Sequence, residues 1–290
     1  QKFSEYPDLN PIYEILSSSL GIDRNNFLIT SGVEGSIKTV FEVYDCSDKT
    51  CVIGDPSYAM YHVYAKANFV DFLRLPAKQL NYDAIVRLMK SSRIGLICLV
   101  NPVPACDHYI AHEEMNAIIK CCESEGIVVF LDEIYVGYGT ESFLEHYDID
   151  SYDNLIVSSS FSKSHMLPAL KTGYLISNKD RIRQIESIRP SYEISLLDSE
   201  LLKNVIKHTE YFRCFRENVL KRKGYYLDNY ELVGDYSFNL HLKNNDLDLQ
   251  ERFRKKMLVV GMQDQLYFSV PLTVSVEERV LEILDSLTDK

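Results

Sequence analysis

At 290 residues the chain can bury one large core or two modest ones, and its 46% hydrophobic and 25% charged content is ordinary for a globular protein. A formal charge of -11 argues against nucleic-acid and anionic-membrane surfaces, since both attract clustered Lys and Arg. Seven cysteines form no regular framework, and Cys46 and Cys51 have no second pair at zinc-ligand spacing, so neither disulfides nor a metal centre are expected.

Two periodicities alternate along the chain. Leu28-Ile29-Thr30 is a short apolar run ending in Ser31-Gly32, and Ile37, Val40, Phe41, Val43 and Tyr44 follow at helical spacing. Cys51-Val52-Ile53 reads as a buried strand stopped by Gly54-Asp55-Pro56. A helix from about Tyr58 to Ala67, a strand from Phe69 to Leu75 and a helix from about Tyr82 to Lys90 come next. Ile94 to Val100 is continuously apolar, as a strand covered on both faces should be. A helix from Ala111 to Glu125 leads through Gly126 into the strand Ile127 to Leu131, and Leu155 to Val157 and Thr172 to Ile176 complete the short strands.

This alternation predicts an α/β fold, with a mostly parallel sheet in a large domain over residues 1–180. Charged helices from about Arg181 to Asp228 then interrupt it. The short runs Ser237 to Leu242, Leu258 to Val260 and Leu266 to Val270 predict a smaller α+β domain over residues 181–290.

Open parallel sheets bind ligands beyond the carboxyl ends of their strands. The residues there are Ser31 to Gly35, Asp55 to Tyr58, Asn101-Pro102, Asp132 to Tyr135 and Ser158 to Lys163. Asp132, Asn101, Tyr135 and Lys163 supply one carboxylate, one amide, one phenol and one amine. That set suits a pyridine cofactor held by its edge: the carboxylate keeps the ring nitrogen protonated, phenol and amide bond the ring oxygen, and the amine holds the cofactor covalently.

These segments resemble the class I/II pyridoxal-phosphate-dependent aminotransferase family, and most closely its histidinol-phosphate aminotransferase-like branch. The resemblance rests on Tyr6-Pro7-Asp8, Asp55-Pro56-Ser57-Tyr58-Ala59-Met60-Tyr61, Asn101-Pro102, Asp132-Glu133-Ile134-Tyr135 and Ser160-Phe161-Ser162-Lys163 with Gly173-Tyr174, in the family's order. It implies aminotransferase fold type I, pyridoxal 5'-phosphate as cofactor and a homodimer. It makes Lys163 the cofactor-bearing lysine and proton shuttle, Asp132 the partner of the pyridinium nitrogen, and Asn101 and Tyr135 the partners of the ring oxygen. Tyr58 would stack on the ring. Val33 and Glu34 would offer backbone N–H groups to the phosphate at a helix N-terminus, with Ser160 and Lys171 beside them.

The sequence departs from the family at four places. Lys171 stands eight residues after Lys163, where the family usually has Arg, so charge is kept but the planar fork is lost. Tyr267 stands where an Arg commonly clamps the substrate α-carboxylate, and Arg189 is a candidate substitute. Val103-Pro104-Ala105-Cys106 replaces the usual Asn-Asn-Pro-Thr type of loop. The family also carries an arm before the Tyr6-Pro7-Asp8 segment that reaches the partner subunit, and the sequence opens at that segment.

The expected activity is transfer of an amino group from a small-molecule donor to a small, phosphorylated carbonyl acceptor. The alternatives are decarboxylation of a phosphorylated amino acid, as in threonine-phosphate decarboxylases, and a non-catalytic module that keeps the fold. The last would be marked by loss of Lys163 or Asp132, and both are present. With no signal peptide and no apolar run near the roughly 20 residues of a bilayer span, a cytoplasmic protein without nucleic-acid or membrane partners is expected.

Overall fold

The computed structural model describes residues 4–44, 48–104, 106, 108–234, 237–242, 251, 260–262, 265–269 and 274–288. Its first sheet has seven strands: β1 (Phe27–Thr30), β2 (Thr50–Asp55), β3 (Phe72–Pro76), β4 (Ile94–Val100), β5 (Val128–Asp132), β6 (Leu155–Ser160) and β7 (Gly173–Ile176). Their order is β1-β7-β6-β5-β4-β2-β3. Neighbours from β6 through β3 run parallel, and β7 lies antiparallel to both β6 and β1. Between β6 and β7 the chain forms only one four-residue helical turn and a 3-10 turn, too little for the long crossover that a parallel partner needs.

Helices cover both faces. They are α1 (Asn10–Leu20), α2 (Gly32–Val43), α3 (Met60–Ala67), α4 (Tyr82–Ser91), α5 (His112–Ser124), the short α6 (Phe161–Ser164), α7 (Lys179–Glu186) and α8 (Leu196–Lys207). Strand alternation assigns the packing. Ile97, Leu99, Val129, Leu131 and Val157 face Ile12, Leu16, Ile85 and Ile118 in one core. Leu96, Cys98, Val128, Phe130 and Ile156 face Ile37, Val40, Tyr61, Ala65 and Ile182 in the other. Beyond residue 180, α7 still packs on α2 and α8 on α1.

Then come α9 (Thr209–Asn229), the strands β8 (Leu232–Gly234), β9 (Asn239–Leu242), β10 (Val260–Met262) and β11 (Gln265–Ser269), and α10 (Val274–Thr288). These strands form an antiparallel sheet in the order β10-β11-β9-β8. A third core of Val219, Tyr226, Leu232, Phe238, Leu240, Val280 and Ile283 includes Tyr138 from the first sheet's loops.

Boundaries differ from the sequence reading at two informative places. Phe69 is 93% exposed and left-handed at φ 56, because it turns the chain out of α3 before β3 begins at Phe72. Leu258 lies outside the described residues, and β10 starts at Val260.

Two contacts place the strand ends. A Cβ on Gly173 would lie 2.7 Å from the Ser159 carbonyl oxygen and 2.9 Å from Gly32 Cα, so only glycine lets β7 meet the start of α2. Glu133, buried just past β5, accepts the Ser142 hydroxyl at 2.5 Å and the Phe143 N–H at 2.7 Å, which fastens the following loop.

Burial pushes the Glu133 carboxyl up from 4.5 to about 7. The folded chain therefore holds this proton more tightly than the unfolded one, and stability falls as the pH rises from about 4.5 through about 7. Glu133→Gln should remove that loss, so the variant's stability relative to the parent should rise by roughly 1–3 kcal/mol from pH 5 to pH 8. Urea unfolding at the two pH values measures it, and a gap that does not change with pH would contradict the assignment.

Candidate active site

Asp132 closes β5 with its side chain on the face shared by α2 and α3, and it is 3% exposed. Tyr61, fully buried on α3, donates its hydroxyl to Asp132 Oδ2 at 2.8 Å, and the Ile134 N–H donates to Oδ1 at 3.0 Å. Burial outweighs these two bonds and raises the carboxyl to about 6. At neutral pH the group is mostly ionised yet poorly solvated, a setting in which a cationic N–H gains a strong charge-assisted hydrogen bond.

Lys163 sits on α6, immediately after β6. Ser160 caps that turn, its hydroxyl accepting the Ser162 N–H at 3.3 Å. Tyr138 donates its hydroxyl to the Lys163 carbonyl oxygen at 2.7 Å, which fixes the lysine's backbone. Lys163 Nζ lies 5.9 Å from the ring centroids of both Tyr135 and Phe238. Burial lowers its pKa, and among the described residues no carboxylate opposes the shift. Desolvation favours the neutral amine, the form that acts as a nucleophile.

The first turn of α2 holds Val33 and Glu34, the residues whose N–H groups are expected to meet a phosphate. Ser31 makes no side-chain cap there, which leaves the first backbone N–H groups without that partner. Val33 is buried by its side chain, so only its backbone can serve a ligand. Ser160 lies at the end of β6 opposite Gly173, while Lys171 is exposed with left-handed φ 47. The Lys171 carbonyl oxygen stands 3.9 Å from where a Cβ on Gly32 would be. Glu34 turns its carboxylate to the hydroxyls of Tyr58 at 3.2 Å and Tyr64 at 3.3 Å, and Tyr58 remains 49% exposed.

Asn101 and Arg189 both make hydrogen bonds to backbone groups within the fold. The carboxamide of buried Asn101 donates to the Ile110 carbonyl at 3.0 Å and accepts the Ile110 N–H at 2.9 Å. These two bonds close the loop of residues 101–110 and use one of the carboxamide's two N–H donors. Arg189 donates to the Ile29 carbonyl at 2.7 Å and to the Tyr13 hydroxyl at 2.9 Å, so its guanidinium ties α1 to β1. The backbone of Tyr267 lies in β11 opposite His241, and its side chain falls outside the described residues, as does all of Cys46.

The sequence gives no role to Tyr138 or Phe238, and it marks Tyr61 only as the end of the Asp55–Tyr61 motif. Tyr61 stands three residues past Tyr58, on the helix that the Asp55-Pro56 turn starts, and only the register of α3 against β5 reveals its bond to Asp132. A helix N-terminus, a buried carboxylate and a buried amine stand at the ends of strands of one sheet, and their chemistry suits a phosphate, a protonated ring nitrogen and a carbonyl. Pyridoxal 5'-phosphate has that chemistry. Among the described residues no helix is long and apolar enough to cross a membrane.

The family model for aminotransferase class I and II matches residues 12–224. A relative named histidinol-phosphate aminotransferase, from Clostridium novyi, is 23% identical over 99% of this chain and 83% of its own length. A namesake from Clostridium beijerinckii is 27% identical over 75% of this chain and 61% of its own. In the solved structure of the histidinol-phosphate aminotransferase from Clostridium acetobutylicum the fold recurs with a TM-score of 0.83, covering 99% of this chain and 91% of that one at 17% identity. The chain belongs to the class I and II aminotransferase family, and it is a transaminase whose cofactor is pyridoxal 5'-phosphate.

Proposed function

We propose that the protein moves an amino group onto a small phosphorylated carbonyl compound that lacks an α-carboxylate, of the histidinol-phosphate or amino-alcohol-phosphate kind. The names of its relatives support the phosphorylated substrate. The observation that carries the missing carboxylate is the engagement of Arg189 with Ile29 and Tyr13, together with Tyr in place of Arg at 267. An ionised carboxylate without a cationic partner is costly to bury.

When bound, the cofactor supplies an electron sink for the carbon that gains or loses the amino group. The chain's own groups do the rest. In this reading Lys163 holds the cofactor covalently and, once released, moves a proton between carbon atoms at its Nζ. Asp132 keeps the proton on the ring nitrogen, with Tyr61 fixing its carboxylate. Tyr135 donates to the ring oxygen, and Tyr58, steadied by Glu34, covers the ring face. The N–H groups of Val33 and Glu34, the Ser160 hydroxyl and the Lys171 ammonium hold the phosphate.

Borohydride reduction of the holoenzyme should lock the cofactor onto Lys163, as located by peptide mapping. Label on any other lysine would remove the assignment. For substrate class, the measurement is kcat/KM for dihydroxyacetone phosphate or imidazole acetol phosphate against that for 2-oxoglutarate or pyruvate. A missing partner in a buried charge pair costs roughly 2–5 kcal/mol, so the phosphorylated ketones should lead by about thirtyfold or more. Tyr267→Arg should narrow that ratio. A parent enzyme that prefers oxo acids would overturn the proposed acceptor, and carbon dioxide release from a phosphorylated amino acid would point to the decarboxylase reading.

A further inference from the structure

His112, Glu141 and His146 come from two segments: His112 lies about thirty residues before the other pair, which are five residues apart. His112 opens α5, Glu141 lies in the loop beyond β5, and His146 follows the 3-10 turn Phe143–Glu145. Each can turn a ligand atom to within 4.8 Å of the other two. Nε2 of His146 already stands 2.9 Å from Glu141 Oε2, and the two imidazole rings lie 4.2 Å apart at 35°. The Tyr109 hydroxyl stands 3.0 Å from His112 Nε2. The His112 ring also lies 6.4 Å from Phe143, which stacks on Tyr147 at 4.7 Å.

We propose that these three side chains bind one divalent transition-metal ion, with Zn2+ the best match. Two imidazole nitrogens and one carboxylate oxygen are donors that suit Zn2+ and its neighbours, whereas Ca2+ and Mg2+ prefer oxygen alone. Ligand bonds of about 2.0–2.1 Å in a tetrahedron put ligand atoms roughly 3.3 Å apart. The His146–Glu141 spacing is already near that value, and small side-chain rotations bring in His112. Glu113 and Glu145 add negative charge around the His112 ring. Glu141 and the side chain of His146 are exposed, which leaves a route for the ion and room for a water as fourth ligand.

The cluster is held from behind. Ser142 and Phe143, which lie between Glu141 and His146, are the two residues that grip buried Glu133. His112 stands two residues beyond Ile110, the anchor of Asn101. A bound ion would therefore tie the loop after β4 to the loop after β5, the two connections that flank Asp132. Its role is structural, and it is independent of the substrate proposed above.

The test uses the cofactor-loaded protein dialysed against a chelator, titrated with Zn2+ by calorimetry and with Co2+ by visible spectroscopy. One ion should bind per chain. The Co2+ adduct should show d–d bands without a sulfur-to-metal charge-transfer band, since no thiolate belongs to the site. Glu141→Gln should weaken binding by at least about tenfold, and His112→Ala with His146→Ala should abolish it, while cofactor absorbance stays unchanged. Zn2+ should also raise the thermal midpoint of the parent and not that of the double variant. Binding that is equally tight in the double variant, a thiolate band, or no binding up to about 1 mM Zn2+ would each overturn the proposal.

Discussion

The interaction on which the site depends is the burial of the Asp132 carboxylate at the end of β5 against the hydroxyl of Tyr61. A carboxylate in a dry setting with only two hydrogen bonds is held at a cost, which is why its pKa climbs to about 6. A cationic N–H placed beside it would recover much of that cost. The fold thus favours a cationic N–H donor at one fixed position, and the geometry of β5 and α3 sets where that position is.

The remaining groups are arranged around that point by backbone contacts. Gly173 lets β7 lie against Gly32 so closely that the start of α2 is brought to the ends of β6 and β7. That contact puts the first turn of α2 in the same region as Ser160 and Lys171. Tyr138 draws α6 toward the second sheet through the Lys163 carbonyl, and Phe238 from that part of the chain lies beside the lysine's amine. Residues of the third core therefore help to keep Lys163 desolvated, and the lowered pKa of the lysine follows from packing alone.

Much of this was legible in the sequence. The apolar run Ile94 to Val100 predicted β4 residue for residue, and the strand ends led directly to Asp132, Ser160 and Lys163. Family resemblance then ordered the strand-end residues into a cofactor site. Side-chain pairing was not legible, because it depends on register between elements. Asn101 could not be known to close on Ile110, nor Arg189 on Ile29 and Tyr13, without the turn geometry that brings those backbones near. The antiparallel run of β7 was hidden for a similar reason: an apolar segment carries no direction, and only the short connection after β6 sets it. His112 and His146 stand 34 residues apart in the sequence and meet only through the packing of α5 on the loop after β5.

The central claim is that Asp132 holds a proton on the ring nitrogen of the bound cofactor. The direct measurement is the nitrogen chemical shift of ring-15N-labelled pyridoxal 5'-phosphate bound to the parent protein and to Asp132→Asn at pH 8. The ring nitrogen should be protonated in the parent and unprotonated in the variant, with turnover lost in parallel. The same protonated shift in both proteins would contradict the pairing and move the ring nitrogen away from β5.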